Sequence, residues 1–439
     1  MLNQETSFFF KKALRWNFFG SSFYEITKVF HNFYLLSCMT SHNYGQTGFI
    51  LSSIYLAARI ADLGNAYSTV PLLQDMLRSK KNFRSLIGSF FLLPQIPVLL
   101  LGATILSWHI APELRGLVAA IFMLETYRLF LRYFLHAQFK NSFVVSIELG
   151  SFVLFLSAIW IPWLFTGTIT PHSILTAHLA DSAVATGLLA ALSLRAYWLL
   201  PSTSSNDTLP SIKNIIASKV YPYFNRLSRE ITSSNTLTPI YATLFGYANV
   251  SIFYFLGIAT TAYQMIIKNT ITYSSNALLA KLRYESHEQK SYAFHMITDK
   301  LLPMLIIPTT VIVMFYTTVN KFIDPMLLKL LFCFLILMGI DLVMHVYEQY
   351  YLVQDAARKF FILKMVESAA CLAVFYFGPK WSILQAFSTF IAIKAIITLC
   401  TALQAYNLWD LRFRVHNAML WAGITAAASM VIRLIMTIF

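Results

Sequence analysis

The side chains able to do chemistry in this chain lie inside apolar stretches. YGQTGFILSSIYLAARIADLGNAYS, Tyr44 to Ser68, places Arg59 and Asp62 three residues apart in a run that otherwise suits lipid. Ionisable groups in membrane spans cost about 2.5–3.5 kcal/mol each on insertion scales, so they face a polar cavity or a partner. The device recurs. Asn17, Ser21, Glu25, Lys28 and Asn32 follow at steps of four, four, three and four, which on a helix holds them within an arc of about 80°. Lys219, Arg226, Glu230 and Ser233 form a second stripe with Arg229 beside it. Glu125, Arg128 and Arg132 share a face, as do Asp341, His345 and Glu348, while Glu148, Asp181 and Lys268 stand singly in apolar surroundings.

Two chemistries follow. Glu25, Lys28, Arg59, Asp62, Arg128, Arg226, Arg229 and Lys268 are the candidate lining of a solute cavity. Its basic excess suits an anionic cargo, because guanidinium forks match phosphate oxygens in a bidentate way. Asp62, Glu148, Asp341 and Glu348 are the candidates for coupling movement to H+ or Na+. Structural readings compete. Arg59 and Asp62 could pair along one helix, the first stripe could belong to a helix lying on the membrane surface, and Arg132 could snorkel to the interface. Cys38, Cys333, Cys371 and Cys400 lack CxxC spacing and read as small buried hydrophobes. No metal site or other cofactor is expected. HExxH, Walker and nucleophile-elbow patterns are absent. The loop MTSHN is short and without an acid, so neither a hydrolase nor a polyprenyl-phosphate glycosyltransferase is predicted.

The elements that must position these groups are membrane helices. The 439 residues are 57% hydrophobic and 12% charged, against roughly 45–50% and about 25% in soluble domains, and mean hydropathy is +0.62. Spans of about 20 apolar residues are expected near 13–38, 45–75, 84–108, 114–138, 143–166, 173–199, 216–244, 248–278, 296–318, 326–353, 357–378, 381–405 and 415–438. The net charge of +14 does not point to nucleic acid, because its lysines and arginines concentrate in alternate loops. That bias predicts a multi-pass membrane protein with the N-terminus cytoplasmic, and MLNQETSFFFKKALRW lacks the pattern of a cleaved signal peptide. PSTSSNDTLPSIK, Pro201 to Lys213, divides the chain. The predicted plan is a six-helix lobe over 1–200, a cytoplasmic linker over 201–215, a second six-helix lobe over 216–410, and an additional helix over 411–439. Lys140 and Glu148 of the fifth span match Lys359 and Glu367 of the eleventh, a weak internal symmetry of the kind secondary transporters show. Burying all these charges against lipid would cost roughly 20 kcal/mol or more, above a usual net stability of about 5–15 kcal/mol. A shared hydrated cavity resolves the conflict.

The stretch from Lys12 through Leu73, with a polar first helix, Tyr44-Gly45 and Asp62-Leu63-Gly64, resembles the polysaccharide-export flippases of the multidrug/oligosaccharidyl-lipid/polysaccharide (MOP) superfamily. RLSREITSSNTLTPIYATLFGYANVSIFYFLGIA resembles the start of that family's second half, with Ser251 where a glycine is expected. The resemblance implies an all-α, MATE-like fold of two six-helix lobes around a V-shaped cavity. It also implies alternating access and a lipid-linked sugar whose pyrophosphate sits among Lys28, Arg59, Arg226 and Arg229. Membrane lipids and polysaccharide assembly proteins are the implied partners, with no nucleic acid among them. A cation-coupled exporter of drugs or small molecules is the alternative on the same fold, with Asp341 and Glu348 available to a cationic cargo.

Overall fold

The computed structural model describes residues 4–63, 95–108, 110–137, 140–198, 233–267, 325–353, 357–377 and 381–409, with single positions such as Asn65, Asn225, Glu230, Phe294 and Leu411 between them. The described chain is helical throughout. In order run α1 (Gln4–Cys38), α2 (Ser41–Ala61), α3 (Gln95–Trp108), a 3-10 turn (Pro112–Leu114), α4 (Arg115–Ala137), α5 (Asn141–Thr166) and α6 (Pro171–Trp198). After these come α7 (Ser234–Phe245), α8 (Tyr247–Ile267), α9 (Pro325–Val353), α10 (Ala357–Phe377) and α11 (Ile383–Trp409). Four of them, over Ser142–Thr166, Pro171–Arg195, Leu328–Glu348 and Ile383–Trp409, are long and apolar enough to cross a membrane. This is a multi-pass membrane protein.

Local chemistry sets the boundaries. The Thr40 hydroxyl accepts from the Asn43 N–H at 3.2 Å and starts α2, satisfying an orphan donor as N-caps do. Gly167, at φ 68°, stops α5 by sending its N–H back to the Trp163 carbonyl at 2.7 Å, the left-handed ending that glycine adopts without a Cβ penalty. The predicted first span begins at 13, whereas α1 starts at Gln4. The second ends earlier than its hydrophobicity suggests, because α2 closes at Asp62 and Leu63 turns left-handed at φ 50°. That costs a branched L-residue about 1–2 kcal/mol. The linker over 201–215 and the predicted span 415–438 lie outside the described residues, and span 296–318 is described only at isolated positions.

The chain forms two compact units, Lys11–Phe255 and Leu256–Phe439, the latter with Met1–Phe10. In the first, α6 packs along α4 and α5, and α2 packs along α3, α4 and α7. Ile50, Ile54, Ala58, Leu99, Val118, Ile121, Phe122 and Leu175 fill the space between α2, α3, α4 and α6. Two glycines let α2 approach the start of α8. A Cβ on Gly45 would sit 1.9 Å from the Tyr247 carbonyl oxygen, and one on Gly48 2.6 Å from the Tyr254 ring. In the second unit, α11 packs along α9 and α10 around Met338, Leu342, Tyr347, Tyr351, Phe360 and Ile397.

Candidate functional site

The centre of the first unit's polar interior is Arg128. Glu125 precedes it by one turn on α4, so the two side chains share a face. Packing of α5 and α6 against α4 then brings Glu148 and Asp181 to the same guanidinium. Arg128 Nη1 donates to Glu125 Oε1 and Asp181 Oδ2, both at 2.9 Å, while Nε and Nη2 grip the Glu148 carboxylate at 3.1 and 2.5 Å. Arg128 is 5% exposed. Arg132, half-open to the surface, reaches Glu148 Oε1 at 3.5 Å. Around this core, Ser182 Oγ donates to Glu125 at 2.6 Å, and His178 Nδ1 lies 3.5 Å from Asp181 Oδ2. The Tyr55 hydroxyl from α2 reaches His178 Nε2 at 2.9 Å. With Nδ1 carrying the ring proton, His178 accepts from Tyr55 and faces Asp181 as a donor.

Two guanidinium groups meet three carboxylates here, so with His178 neutral the group carries one negative charge in excess. Glu125, His178 and Asp181 each present one donor atom, all within 4.8 Å of one another. Arg128 takes one oxygen each of Glu125 and Asp181, and Asp181 Oδ1 is buried without a hydrogen-bond partner among the described residues.

The candidate residues distribute as follows. Glu25 is buried on α1, with Oε2 lacking a hydrogen-bond partner among the described residues, and feels the charges of Lys28 and Arg132. Lys28, one turn on from Glu25, is half-buried. Glu148 is a direct ligand of Arg128. Arg59 is elsewhere, donating to the buried Glu230 carboxylate ahead of α7. Asp62 is fully buried at the end of α2. In the second unit, Asp341 accepts from Lys394 of α11, and Glu348 lies 3.2 Å from His345 Nδ1. Arg226, Arg229 and Lys268 lie outside the described residues.

Sequence reasoning missed Tyr55, His178, Lys364 and Lys394. Lys394 had a signal of its own, a lone lysine in the apolar run FIAIKAIITLC. His178 and Tyr55 had none, because tyrosine and histidine occur widely in apolar helices.

The all-α fold is MATE-like. The chain is similar to the lipid II flippase MurJ in an inward closed conformation, with 11% identity over 97% of this chain and 92% of that one and a TM-score of 0.63. It is similar to a MATE transporter in a bent conformation, at 12% identity over 96% of each chain and a TM-score of 0.59. A MOP superfamily transporter from Pyrococcus furiosus, described by a reversed polarity of its binding pocket, shares 11% identity over 91% and 96%, with a TM-score of 0.54. At these identities the likeness is one of fold. No family model and no curated protein matches the chain.

Proposed function

We propose that this protein is a flippase carrying a lipid-linked, pyrophosphate-bearing oligosaccharide or polysaccharide precursor across the cytoplasmic membrane by alternating access, coupled to H+ or Na+. The observation that carries the transport reading is Arg128 held by three carboxylates from three helices inside an apolar bundle. A membrane protein gains little stability from such a cluster, since apolar packing does as well or better than a buried ion pair. A change of protonation or ion occupancy during a cycle accounts for it. The anionic cargo is supported by the basic excess of the chain and by the likeness in fold to a lipid II flippase. In this reading Lys28, Arg59, Arg226, Arg229 and Lys268 receive the phosphorylated head group, and Glu148 with Asp181 carries the coupling ion. The N-terminus is cytoplasmic, and polysaccharide assembly proteins receive the product.

One observation favours the exporter instead. Arg59 and Arg128 are both spent on carboxylates, and the Arg128 site is acidic overall, which suits a cationic cargo. Proteoliposomes holding the purified chain separate the two. Accelerated movement of a fluorescent polyprenyl-pyrophosphate sugar between leaflets, abolished by Arg226→Glu with insertion intact, is the expected result. Efflux of a cationic dye with no lipid movement would replace the flippase by the exporter, and neither activity under any imposed ion gradient would reject transport.

A further inference from the structure

His178 and Asp181 stand three residues apart on α6, in the run HLAD, so their side chains share a face. Packing of α4 against α6 brings Glu125 to that face, and one donor atom from each of the three lies within 4.8 Å of the others. His178 and Asp181 are buried and Glu125 half-buried. A histidine and a carboxylate one turn apart, completed by a carboxylate of a neighbouring helix, is a donor set with which helical bundles hold first-row metals. No spacing motif announces it, because the third donor comes from another helix.

The surroundings suit an ion as well as the donors do. Arg128 Nη1 and Ser182 Oγ both donate to Glu125 Oε1, so Oε2 stands outside those two bonds. Asp181 is 6% exposed; Arg128 takes its Oδ2, and its Oδ1 has no hydrogen-bond partner among the described residues. A buried acceptor left in that state costs free energy until something satisfies it. His178 turns Nδ1 toward Asp181 at 3.5 Å, and the Tyr55 hydroxyl meets Nε2 at 2.9 Å. An ion at Nδ1 needs the ring proton on Nε2, where the Tyr55 oxygen accepts it, the outer bond that metal-bound histidines make. The proton moves from one ring nitrogen to the other and none leaves the ring. Arg128 and Arg132 oppose the ion, but they offset only two of three carboxylates, so a divalent ion takes the group from one negative charge to one positive. Bonds of about 2.0–2.2 Å set neighbouring donor atoms about 3.0–3.4 Å apart, so side-chain shifts of about 1 Å close the site.

We propose that Glu125, His178 and Asp181 form a binding site for a divalent first-row transition metal, with zinc the ion that fits. The imidazole makes the choice, since nitrogen suits zinc whereas magnesium and calcium take oxygen. The site shares Asp181 with the coupling group but does not rest on transport. Binding is measured without it, so either reading can fail alone.

Zinc titration of the full-length protein in detergent, after stripping with a chelator, tests this. Every variant carries Cys38→Ser and Cys400→Ser, because exposed thiols bind zinc by themselves. Calorimetry should show one saturable zinc per chain and no response to magnesium. His178→Ala and Asp181→Asn should each weaken zinc binding about tenfold or more, and Tyr55→Phe, which removes only the outer bond, about tenfold. A folded parent that takes up no zinc would overturn the proposal. Unchanged zinc affinity in both His178→Ala and Asp181→Asn would overturn it equally, because the ion would then sit on surface groups such as His42 and His172. Where those two variants do not fold, Tyr55→Phe decides, and zinc affinity equal to the parent's refutes the site.

Discussion

Replacing Arg128 by methionine tests whether its guanidinium holds α4, α5 and α6 together. The substitution keeps most of the apolar stem and removes the Arg128 donors to Glu125, Glu148 and Asp181. Breaking a buried pair by deleting one partner costs about 3–5 kcal/mol, because the other charge stays buried and uncompensated. Here three carboxylates lose one partner, so that range is the minimum. A shift of 1 kcal/mol moves Tm by about 2–4 °C in units of this size, so Arg128→Met should melt roughly 6–20 °C below the parent in the same detergent. Arg128→Lys should fall between the two, since one ammonium cannot reproduce a bidentate grip on Glu148 together with a shared donor to Glu125 and Asp181. Neutralising the carboxylates should restore most of the loss, and Arg128→Met with Glu125→Gln, Glu148→Gln and Asp181→Asn is the variant to measure. A single Arg128→Met chain melting within about 2 °C of the parent would refute the reasoning, as would a quadruple variant no more stable than the single one.

Arg59→Glu should destabilise the chain by about 1–3 kcal/mol, the cost of taking a guanidinium donor from a buried carboxylate and facing it with a like charge. Glu230 is 2% exposed, although the Arg59 side chain is 36% exposed. Glu230→Arg alone should do the same, and the reciprocal swap should recover much of both losses in a double-mutant cycle. At the other end of α2, Gly45→Ala sets a methyl 1.9 Å from a backbone oxygen that no rotamer change can relieve. It should cost about 1–3 kcal/mol or more, seen as a lowered melting temperature, while Gly116→Ala, with open space around its Cα, should leave stability near the parent value.

The helices were legible because apolar runs of membrane length carry strong signals. Ten predicted spans appear as helices whose described ends fall within about three residues of expectation at one end or both, as in α5, α9 and α10. The exceptions have local causes. α2 ends at Ala61 with Asp62 as its cap, because Leu63 leaves the helical region, and hydropathy does not report a dihedral angle. The ionised residues were equally visible, since each interrupts a run that lipid would otherwise accept. Their partners were not. Helical periodicity joins Arg128 to Glu125, but only the packing of three helices adds Glu148 and Asp181, and nothing in the local sequence around Arg59 points 171 positions onward to Glu230.

The same limit explains why basic residues that sequence counts alike differ in space: among the described residues, Arg59 and Arg128 each meet carboxylates. Counting basic residues treats each as available to cargo, whereas a buried guanidinium is stable only where carboxylates have been brought to it. The helix boundaries sharpen the point. Glu125 and Asp341 each stand twelve residues before the end of their helices, at Ala137 and Val353. Glu148 and Lys364 are each the eighth residue of theirs, counted from Asn141 and Ala357. Counted from the helix starts, a lysine stands in one unit where the other has a glutamate. The α4–α6 group consequently carries more acid than base and can take up positive charge, while the α9–α11 group is already balanced by Lys364 and Lys394. If ion coupling drives this protein, the acidic group is where an ion changes the charge state at least cost, and the balanced group is where adding one would cost most.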